Sequence, residues 1–218
     1  LDLVEGTVAG REDGGVDERT DRGVAGTNAG GIHGPGSAEQ PTATTAICAA
    51  RGHEGSRRPR NAEWRHFQSF EFAGSTVTVV GLGSIGTHVV DRLAGFDVET
   101  IGVRYTPSKG GPTDEVIGFE SDAIHDALAR SDYVVLACPL TEATRALIGP
   151  AELATLPPHA VVVNAARGGI VDTDALVSAL RTSGIRGAAL DVTDPEPLPG
   201  DHPLWDLENC LITPHTGG

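Results

Sequence analysis

Several residue types are scarce or missing in this chain. Its 218 residues include no methionine and a single lysine, Lys109, and aromatic side chains make up only 4%. Without an initiator methionine, these residues are not expected to be a complete translated chain. No apolar run approaches the roughly 18 residues that a membrane-spanning helix needs, and no secretory signal is visible at the start. We therefore expect a cytoplasmic protein with no membrane partner.

Cysteines and basic side chains are also few. The three cysteines, Cys48, Cys138 and Cys210, are widely spaced and form no C-x-x-C pair, so neither a disulfide framework nor a zinc site is expected, and no other metal pattern is present. Asp and Glu outnumber Lys and Arg by 30 to 16, for a formal net charge of -14. Nucleic-acid binding rests on clustered basic side chains. The charge therefore argues against a nucleic-acid partner and indicates a solvated acidic surface.

Aliphatic side chains are distributed unevenly along the chain. Residues 1 to 60 contain 8 Val, Ile or Leu and 12 Gly, whereas residues 77 to 218 contain 39 Val, Ile or Leu. The first stretch is therefore typical of a linker or disordered tail, since it can hardly build a core of its own. The core is expected to come from the second.

From Ser75 onward, short apolar strands alternate with amphipathic helices. Predicted strands cover residues 77–80, 98–104, 133–137, 160–164, 187–192 and 210–213. One predicted helix follows residue 83, and a second is capped by Ser121 with Asp122. Two more cover residues 150–156 and 172–181, and Gly184 is the C-terminal stop of the last one. The alternation predicts an α/β fold with a doubly wound parallel sheet covered on both faces.

A glycine motif stands between the first strand and the first helix. Gly81, Gly83 and Gly86 form G-x-G-x-x-G, in which the first glycine allows a tight turn, the second lets backbone approach a pyrophosphate, and the third lets helix and strand pack closely. The diphosphate would lie at the positive N-terminus of the helix. The motif predicts a Rossmann-type dinucleotide site; the alternative is a glycine-rich turn with no ligand.

Arg104 is at the end of the second predicted strand, where a dinucleotide-binding fold often places an acidic residue against the adenosine ribose. A carboxylate would repel a 2′-phosphate, whereas a guanidinium can pair with it. Arg104 therefore favours NADP(H) over NAD(H). The alternative is an exposed arginine at the end of a strand.

Three further polar residues follow predicted strands: Arg167, Glu196 and His215. In an open parallel sheet, ligands bind outside the carboxyl ends of the strands. All three are therefore expected to face one crevice. Taken singly, each could be an ordinary surface or loop residue; their joint placement favours a site.

The motifs together resemble those of one family. They are Gly81-Leu82-Gly83-Ser84-Ile85-Gly86, Cys138-Pro139-Leu140-Thr141 with Thr144, Asn164-Ala165-Ala166-Arg167-Gly168, Asp191-Val192, Glu196-Pro197 and Thr213-Pro214-His215-Thr216-Gly217-Gly218. On these motifs the chain from about Trp64 to Gly218 resembles the nucleotide-binding domain of the D-isomer-specific 2-hydroxyacid dehydrogenases. Members that reduce glyoxylate or hydroxypyruvate with NADPH often carry arginine at the position of Arg104, so that subclass is the nearest resemblance.

The resemblance implies that Arg167, Glu196 and His215 are catalytic. Arg167 would hold the carboxylate and carbonyl of a 2-oxo acid, His215 would exchange a proton with the carbonyl oxygen, and Glu196 would favour the imidazolium. NADP(H), favoured over NAD(H), would supply the hydride chemistry. The residues expected to contact the cofactor are Gly81, Gly83, Ser84, Ile85, Gly86, Arg104, Cys138, Pro139, Ala165, Ala166, Asp191, Gly217 and Gly218.

The same resemblance sets expectations for domains and partners. Residues 1–26 are expected to be disordered or a remnant of a substrate domain that is otherwise largely missing, and residues 27–218 to form the NAD(P)-binding domain. Residues 40–62 are aberrant, since proline and glycine replace the family's long apolar helix; we expect residues 1–60 to be partly out of frame or to derive from a degraded gene or a sequencing error. The partners would be a small 2-oxo acid and, as in relatives, a second copy in a homodimer. The alternative functions are an inactive fragment and a cofactor-binding regulatory module.

Overall fold

A computed structural model of the chain describes residues 71–216. The expectations for residues 1–26, for residues 40–62, and for Gly217 and Gly218 lie outside the described residues. The predicted domain of residues 27–218 is therefore described from Glu71 onward.

Within residues 71–216, seven parallel strands form one sheet in the order β3-β2-β1-β4-β5-β6-β7. The strands are β1 (Thr76–Val80), β2 (Glu99–Val103), β3 (Glu115–Ile117), β4 (Tyr133–Leu136), β5 (Val161–Asn164), β6 (Gly187–Leu190) and β7 (Cys210–Ile212). The order reverses between β1 and β4, which is the arrangement of a doubly wound sheet. The predicted fold class is confirmed.

Four α-helices and three short 3₁₀ helices connect the described strands. The α-helices are α1 (Ser84–Leu93), α2 (Ser121–Arg130), α3 (Pro150–Thr155) and α4 (Thr173–Arg181). The 3₁₀ helices are Pro107–Lys109, Gly168–Ile170 and Pro203–Asp206. No helix within residues 71–216 is long and apolar enough to cross a membrane.

Apolar side chains cover both faces of the sheet. Because successive residues of a strand point to opposite faces, Val161 and Val163 of β5 join one buried cluster with Val89 and Leu93 of α1. Val162, between them, belongs to the other cluster, which packs against α2, α3 and α4. Two apolar layers therefore hold the sheet rigidly and fix the positions of the loops at its edge.

Strand β3 is the one strand of the described sheet that the sequence pattern did not predict. It pairs with β2 at the edge of the sheet, with Val116 opposite Gly102, and all three of its residues are only half-buried. The carboxylate of Asp114 accepts hydrogen bonds from the backbone N–H and the hydroxyl of Thr100, at 2.8 and 2.7 Å. These bonds lower the pKa of Asp114, with the bond from the Thr100 hydroxyl as the largest cause. A three-residue strand held by a neighbouring side chain leaves little periodicity in the sequence.

Helix α4 begins at Thr173, one residue later than predicted, and its C-terminal stop also differs from the expectation. Asp172 caps the helix by accepting a bond from the N–H of Ala175 at 2.9 Å. At the other end the left-handed residue is Ser183, with φ +55°, and Gly184 follows it. The N–H of Gly184 donates to the carbonyl of Ala179 at 2.8 Å, as in a Schellman motif. Gly184 therefore lies one position after Ser183, the residue whose left-handed conformation would favour glycine.

The predicted cap of α2 is also displaced. Glu120 is the N-cap residue, without a side-chain cap bond, and Ser121 is already the first helical residue. Asp122 lies in the first turn, where a carboxylate is favourable beside the positive end of the helix.

Candidate functional site

The residues predicted for the site follow strands whose carboxyl ends lie along one edge of the sheet. Val80 pairs with Leu136, Leu136 with Asn164, Asn164 with Leu190, and Leu190 with Ile212. The loops after these strands carry the predicted site residues. The structure therefore places these loops together at the edge formed by the carboxyl ends of the strands, as the strand pattern predicts.

The glycine turn (residues 81–86) is shaped by two close approaches. Gly81 has φ +104°, and a Cβ atom on it would lie 2.7 Å from the Cα atom of Cys138. A Cβ atom on Gly86 would lie 1.8 Å from the carbonyl oxygen of Gly81. Since a side chain at either position would displace backbone, both glycines serve the packing for which the motif predicts them.

Gly83 differs from its two neighbours in the motif. Apart from its two chain neighbours, no atom of the described residues lies within 4 Å of a Cβ atom built on it, and the residue is exposed. It is the N-cap of α1, whose first turn carries no acidic residue. The first N–H groups of a helix have no partner within the helix and favour anions. Gly83, Ser84 and Ile85 thus present an open, electropositive backbone that fits a diphosphate.

Arg104 comes directly after β2, and its side chain is partly buried. One guanidinium nitrogen donates to the carbonyl oxygen of Gly110, which closes the loop of residues 104–110 on itself. The loop contains Lys109 and no Asp or Glu. The end of β2 is therefore cationic, which suits a phosphate better than an unmodified ribose hydroxyl.

Cys138 and Pro139 follow β4 beside the glycine turn. Cys138 is 4% exposed, and burial raises the pKa of its thiol to about 11. The hydroxyl of Thr144 donates to the carbonyl of Pro139 at 2.7 Å and accepts from the N–H of Thr141 at 2.8 Å. Cys138 therefore lines the crevice with an uncharged thiol. The hydrogen bonds of Thr144 fix the backbone from Pro139 to Thr141.

The arginine loop (residues 165–169) is braced by the side chain of Asn164. This side chain is 1% exposed. It accepts a bond from the N–H of Ala166 at 3.1 Å and donates to the carbonyl of Arg167 at 3.0 Å. Arg167 itself is exposed, and its guanidinium donates to the carbonyl of Ala166 at 2.6 Å. The loop backbone is thus fixed while the charged end of Arg167 lies at the surface.

His215 and Glu196 are brought together by the structure. His215 Nδ1 lies 2.6 Å from Glu196 Oε1, and the two side chains are 39% and 43% exposed. A carboxylate only accepts hydrogen bonds, so Nδ1 carries the hydrogen. Nε2 is then the ring nitrogen left for a substrate. The predicted pairing of these two residues agrees with this geometry.

The backbone of His215 is in an unusual conformation. Its φ angle is +52°, in the left-handed region that costs a residue with a side chain about 1–2 kcal/mol. Such a conformation persists only where the surrounding structure determines it. The N–H of His215 donates to the carbonyl of Asp191 at 2.9 Å, which ties the residue to the end of β6.

Asp191 is buried at the end of β6 with 4% exposure. Its Oδ1 atom accepts bonds from the hydroxyl of Thr213 and from the N–H and hydroxyl of Thr216. The family resemblance predicts Asp191 as a cofactor contact, and the described structure places its carboxylate against the histidine loop (residues 213–216).

Asn164, Gly168, Thr213 and Thr216 lie within the sequence motifs, but the motifs indicate no separate role for them. The signal for Asn164 is a polar residue that ends a run of three buried valines. The signal for Gly168 is its position directly after the arginine: a Cβ atom on it would lie 2.0 Å from the carbonyl oxygen of Thr193. The threonine contacts depend on the shape of the loop and have no comparable sequence signal.

The sheet order, the glycine turn and the polar strand ends together define a dinucleotide-binding α/β domain. The family profile described as "D-isomer specific 2-hydroxyacid dehydrogenase, NAD binding domain" matches residues 43–217. The chain belongs to this family. The sequence motifs indicate a resemblance that starts at about Trp64. The match to the family profile starts further upstream, at residue 43.

Named relatives agree with the family. The chain is 32% identical to a glyoxylate reductase of Pyrococcus furiosus, over all of this chain and 66% of the relative. It is 37% identical to a D-3-phosphoglycerate dehydrogenase of Methanocaldococcus jannaschii, over 93% of this chain and 38% of the relative. A crystal structure of a D-isomer specific 2-hydroxyacid dehydrogenase from Xanthobacter autotrophicus Py2, in complex with NADPH and MES, matches with a TM-score of 0.75 and 34% identity, over 83% of this chain and 57% of that one. The chain thus spans less than two thirds of each.

Proposed function

We propose that the chain is the cofactor-binding part of an oxidoreductase that transfers a hydride between NADP(H) and a small 2-oxo or 2-hydroxy acid such as glyoxylate or hydroxypyruvate. The observation that carries the proposal is the 2.6 Å contact between His215 Nδ1 and Glu196 Oε1. It lies on the same side of the sheet as the glycine turn. A proton donor and a dinucleotide site on one sheet edge are what reduction of a carbonyl requires.

Arg167 is the residue proposed to hold the acid. Its guanidinium is exposed, and its contact to the carbonyl of Ala166 is a bond that a carboxylate could replace with a stronger, bidentate one. The backbone around it is held by Asn164. The loop therefore offers a fixed base and a charged end able to turn toward substrate, which orients the carbonyl carbon.

His215 is proposed to move the proton. With Nδ1–H donated to Glu196, the Nε2 atom of the protonated ring donates to the carbonyl oxygen during reduction and takes the proton back during oxidation. Glu196 stabilises the positive charge that the ring carries before it donates. Its exposed position leaves the pair in contact with solvent, from which the ring can be reprotonated.

The described residues fit a nicotinamide dinucleotide. The open backbone at Gly83, Ser84 and Ile85 suits the diphosphate, and Gly81 and Gly86 shape that turn. When bound, the nicotinamide supplies or accepts the hydride. Cys138, Pro139, Ala165, Ala166 and Asp191 stay predicted cofactor contacts.

NADP(H) is proposed over NAD(H) because of the loop of residues 104–110. Arg104 is partly buried and anchored to Gly110, so its guanidinium is held near the end of β2. The loop has no carboxylate to accept bonds from ribose hydroxyls. The solved relative from Xanthobacter autotrophicus Py2 is described as an NADPH complex, which is consistent with this preference.

The test is substrate-dependent oxidation of NADPH by the purified chain. Under single-turnover conditions with excess protein, we expect glyoxylate or hydroxypyruvate to cause loss of NADPH absorbance. Arg167→Ala should abolish this loss without weakening NADPH binding, because the side chain is assigned to the acid. Arg181→Ala, an exposed arginine in the last turn of α4, is the matched control and should behave as the unaltered chain. The proposal would be contradicted if neither acid caused oxidation of NADPH, or if Arg167→Ala and Arg181→Ala had equal effects.

A further inference from the structure

We propose that Asp191 is a positioning residue that holds His215 in the orientation in which Nδ1 faces Glu196. This role rests on the proposed function of His215 as proton donor. It is separate from the cofactor contact predicted for Asp191, because it acts through the protein's own loop.

The carboxylate of Asp191 accepts hydrogen bonds from residues that precede and follow His215 in the chain. Its Oδ1 atom accepts from the hydroxyl of Thr213, two residues before His215, and from the N–H of Thr216, the residue after it, at 3.0 Å. The hydroxyl of Thr216 adds a longer contact of 3.3 Å. A buried carboxylate is costly unless donors satisfy it, so these contacts also explain how the charge is accommodated.

The main chain of Asp191 reinforces the same arrangement. Its carbonyl accepts the N–H of His215 at 2.9 Å, and its own N–H donates to the carbonyl of Asn164 at 2.9 Å. Asp191 is thus anchored to the neighbouring strand of a rigid sheet while it holds the loop. Asn164 in turn braces the arginine loop, so the two loops share one buried support.

The conformation of His215 is what makes this support necessary. At φ +52°, the residue is in a region that an unsupported chain would leave. If the loop relaxed to an ordinary backbone conformation, the imidazole would move away from Glu196. The hydrogen bonds of Asp191 therefore determine which ring nitrogen carries the hydrogen and which is left for substrate. Asp191 does not need to touch the ring to do so.

The tautomer of His215 reports this directly and needs neither cofactor nor turnover. In long-range nitrogen–proton NMR spectra of chain labelled with ¹⁵N-histidine, recorded at a pH at which the ring is neutral, His215 should be in the Nδ1–H form. His215→Gln assigns the signal. In Asp191→Ala, we expect this preference to be lost in favour of a mixture of the two N–H forms. Asp191→Asn keeps an oxygen acceptor and should keep the preference.

Thr213→Val tests the same contact in case Asp191→Ala does not fold. It removes one donor without changing the shape of the side chain and should also reduce the Nδ1–H population. The matched control is Thr78→Val, which removes a buried hydroxyl bonded at 2.6 Å to Ser131, in β1. Retention of the Nδ1–H form in Thr213→Val and in folded Asp191→Ala, or an equal loss in Thr78→Val, overturns the proposal. Failure to reduce any 2-oxo acid would instead count against the proposed function alone.

Discussion

Gly168 lies so close to Thr193 that the loop after β5 rests directly on the loop after β6. A Cβ atom on Gly168 would lie 2.0 Å from the carbonyl oxygen of Thr193 and 2.5 Å from the backbone nitrogen of Asp194. The first loop carries Arg167 and the second leads to Glu196. The proposed acid-binding and proton-transfer groups are therefore positioned by a contact between two backbones.

Gly168→Ala should separate the two loops, because backbone atoms cannot yield as the end of a flexible side chain can. We expect a loss of stability of about 2 kcal/mol or more, in the range for overpacking of a filled space, together with at least a tenfold fall in kcat/KM for the 2-oxo acid. Urea unfolding and steady-state kinetics measure the two effects. Gly95→Ala, where an added Cβ would have no described residue within 4 Å other than its chain neighbours, should leave both nearly unchanged; an equal response of the two variants would contradict the interpretation.

Gly83→Ala and Gly86→Ala should differ in their effect on melting temperature, although both should weaken NADPH binding. Gly86 is packed against Gly81, so alanine there should lower the melting temperature and the affinity for NADPH together. At Gly83 an added Cβ would meet no atom of residues 71–216 other than its chain neighbours, so alanine should weaken NADPH binding with little change in melting temperature. Calorimetric binding and thermal unfolding of both variants check this. Normal NADPH affinity in Gly83→Ala would exclude close approach of the diphosphate at that residue.

Arg104→Ala should weaken NADPH binding more than NADH binding. A charge-assisted contact to a phosphate contributes about 1.5–3 kcal/mol, so the dissociation constant for NADPH should rise by roughly 10-fold to 150-fold. NADH has no 2′-phosphate, and its affinity should change little. Fluorescence titration with both cofactors measures the difference, with Arg181→Ala as the control. A proportional loss for both cofactors would mean that Arg104 does not select between them.

The two described cysteines predict a loss of stability at alkaline pH. Burial raises the pKa of Cys138 from 9.0 to about 11 and that of Cys210 to about 12. Since the unfolded chain releases these protons at lower pH than the folded chain, the contribution to stability is complete below about pH 9 and declines as pH rises toward the folded values. The free energy of unfolding should therefore fall more steeply above pH 9 in the unaltered chain than in Cys138→Ala/Cys210→Ala. Parallel curves for the two proteins would show that the thiols are not buried as described.

Ser183→Gly should stabilise the chain. Ser183 has φ +55° after α4, and glycine adopts this conformation without the steric cost of a Cβ atom. We expect a gain of about 1 kcal/mol in urea unfolding, given the cost of roughly 1–2 kcal/mol for a left-handed residue that has a side chain. Thr182→Gly, at φ -87°, relieves no such cost and should not stabilise. A gain of similar size in both variants would point to an effect on the unfolded chain instead.

The sequence predicts the strand and helix series and the doubly wound sheet, because buried parallel strands are strongly apolar. The pairing of Glu196 with His215 is predicted only through the family resemblance of the motifs that follow these strands. The sequence does not predict β3, which is short, half-buried and held partly by the side chain of Asp114. It also assigns the stop of α4 to Gly184, since glycine is the usual signal, although Ser183 adopts the left-handed conformation.

The bracing contacts of the site are the least predictable part. The bonds from Thr213 and Thr216 to Asp191 depend on the fold of a loop in which His215 has a positive φ angle, and residue type alone does not indicate that angle. The contact between Gly168 and Thr193 joins residues from two different loops. Such contacts follow from the three-dimensional path of the chain, whereas the motifs follow from local chemistry.

The reversal of strand order between β1 and β4 has a mechanical consequence. β1, β2 and β3 lie on one side of that boundary, and β4 to β7 on the other. The glycine turn and Arg104 belong to the first group, whereas Cys138, Arg167, Asp191 and His215 follow strands of the second. A dinucleotide that contacts both groups would act as a clamp across the boundary, and would slow amide hydrogen exchange in β2 and β6 together rather than in one half alone.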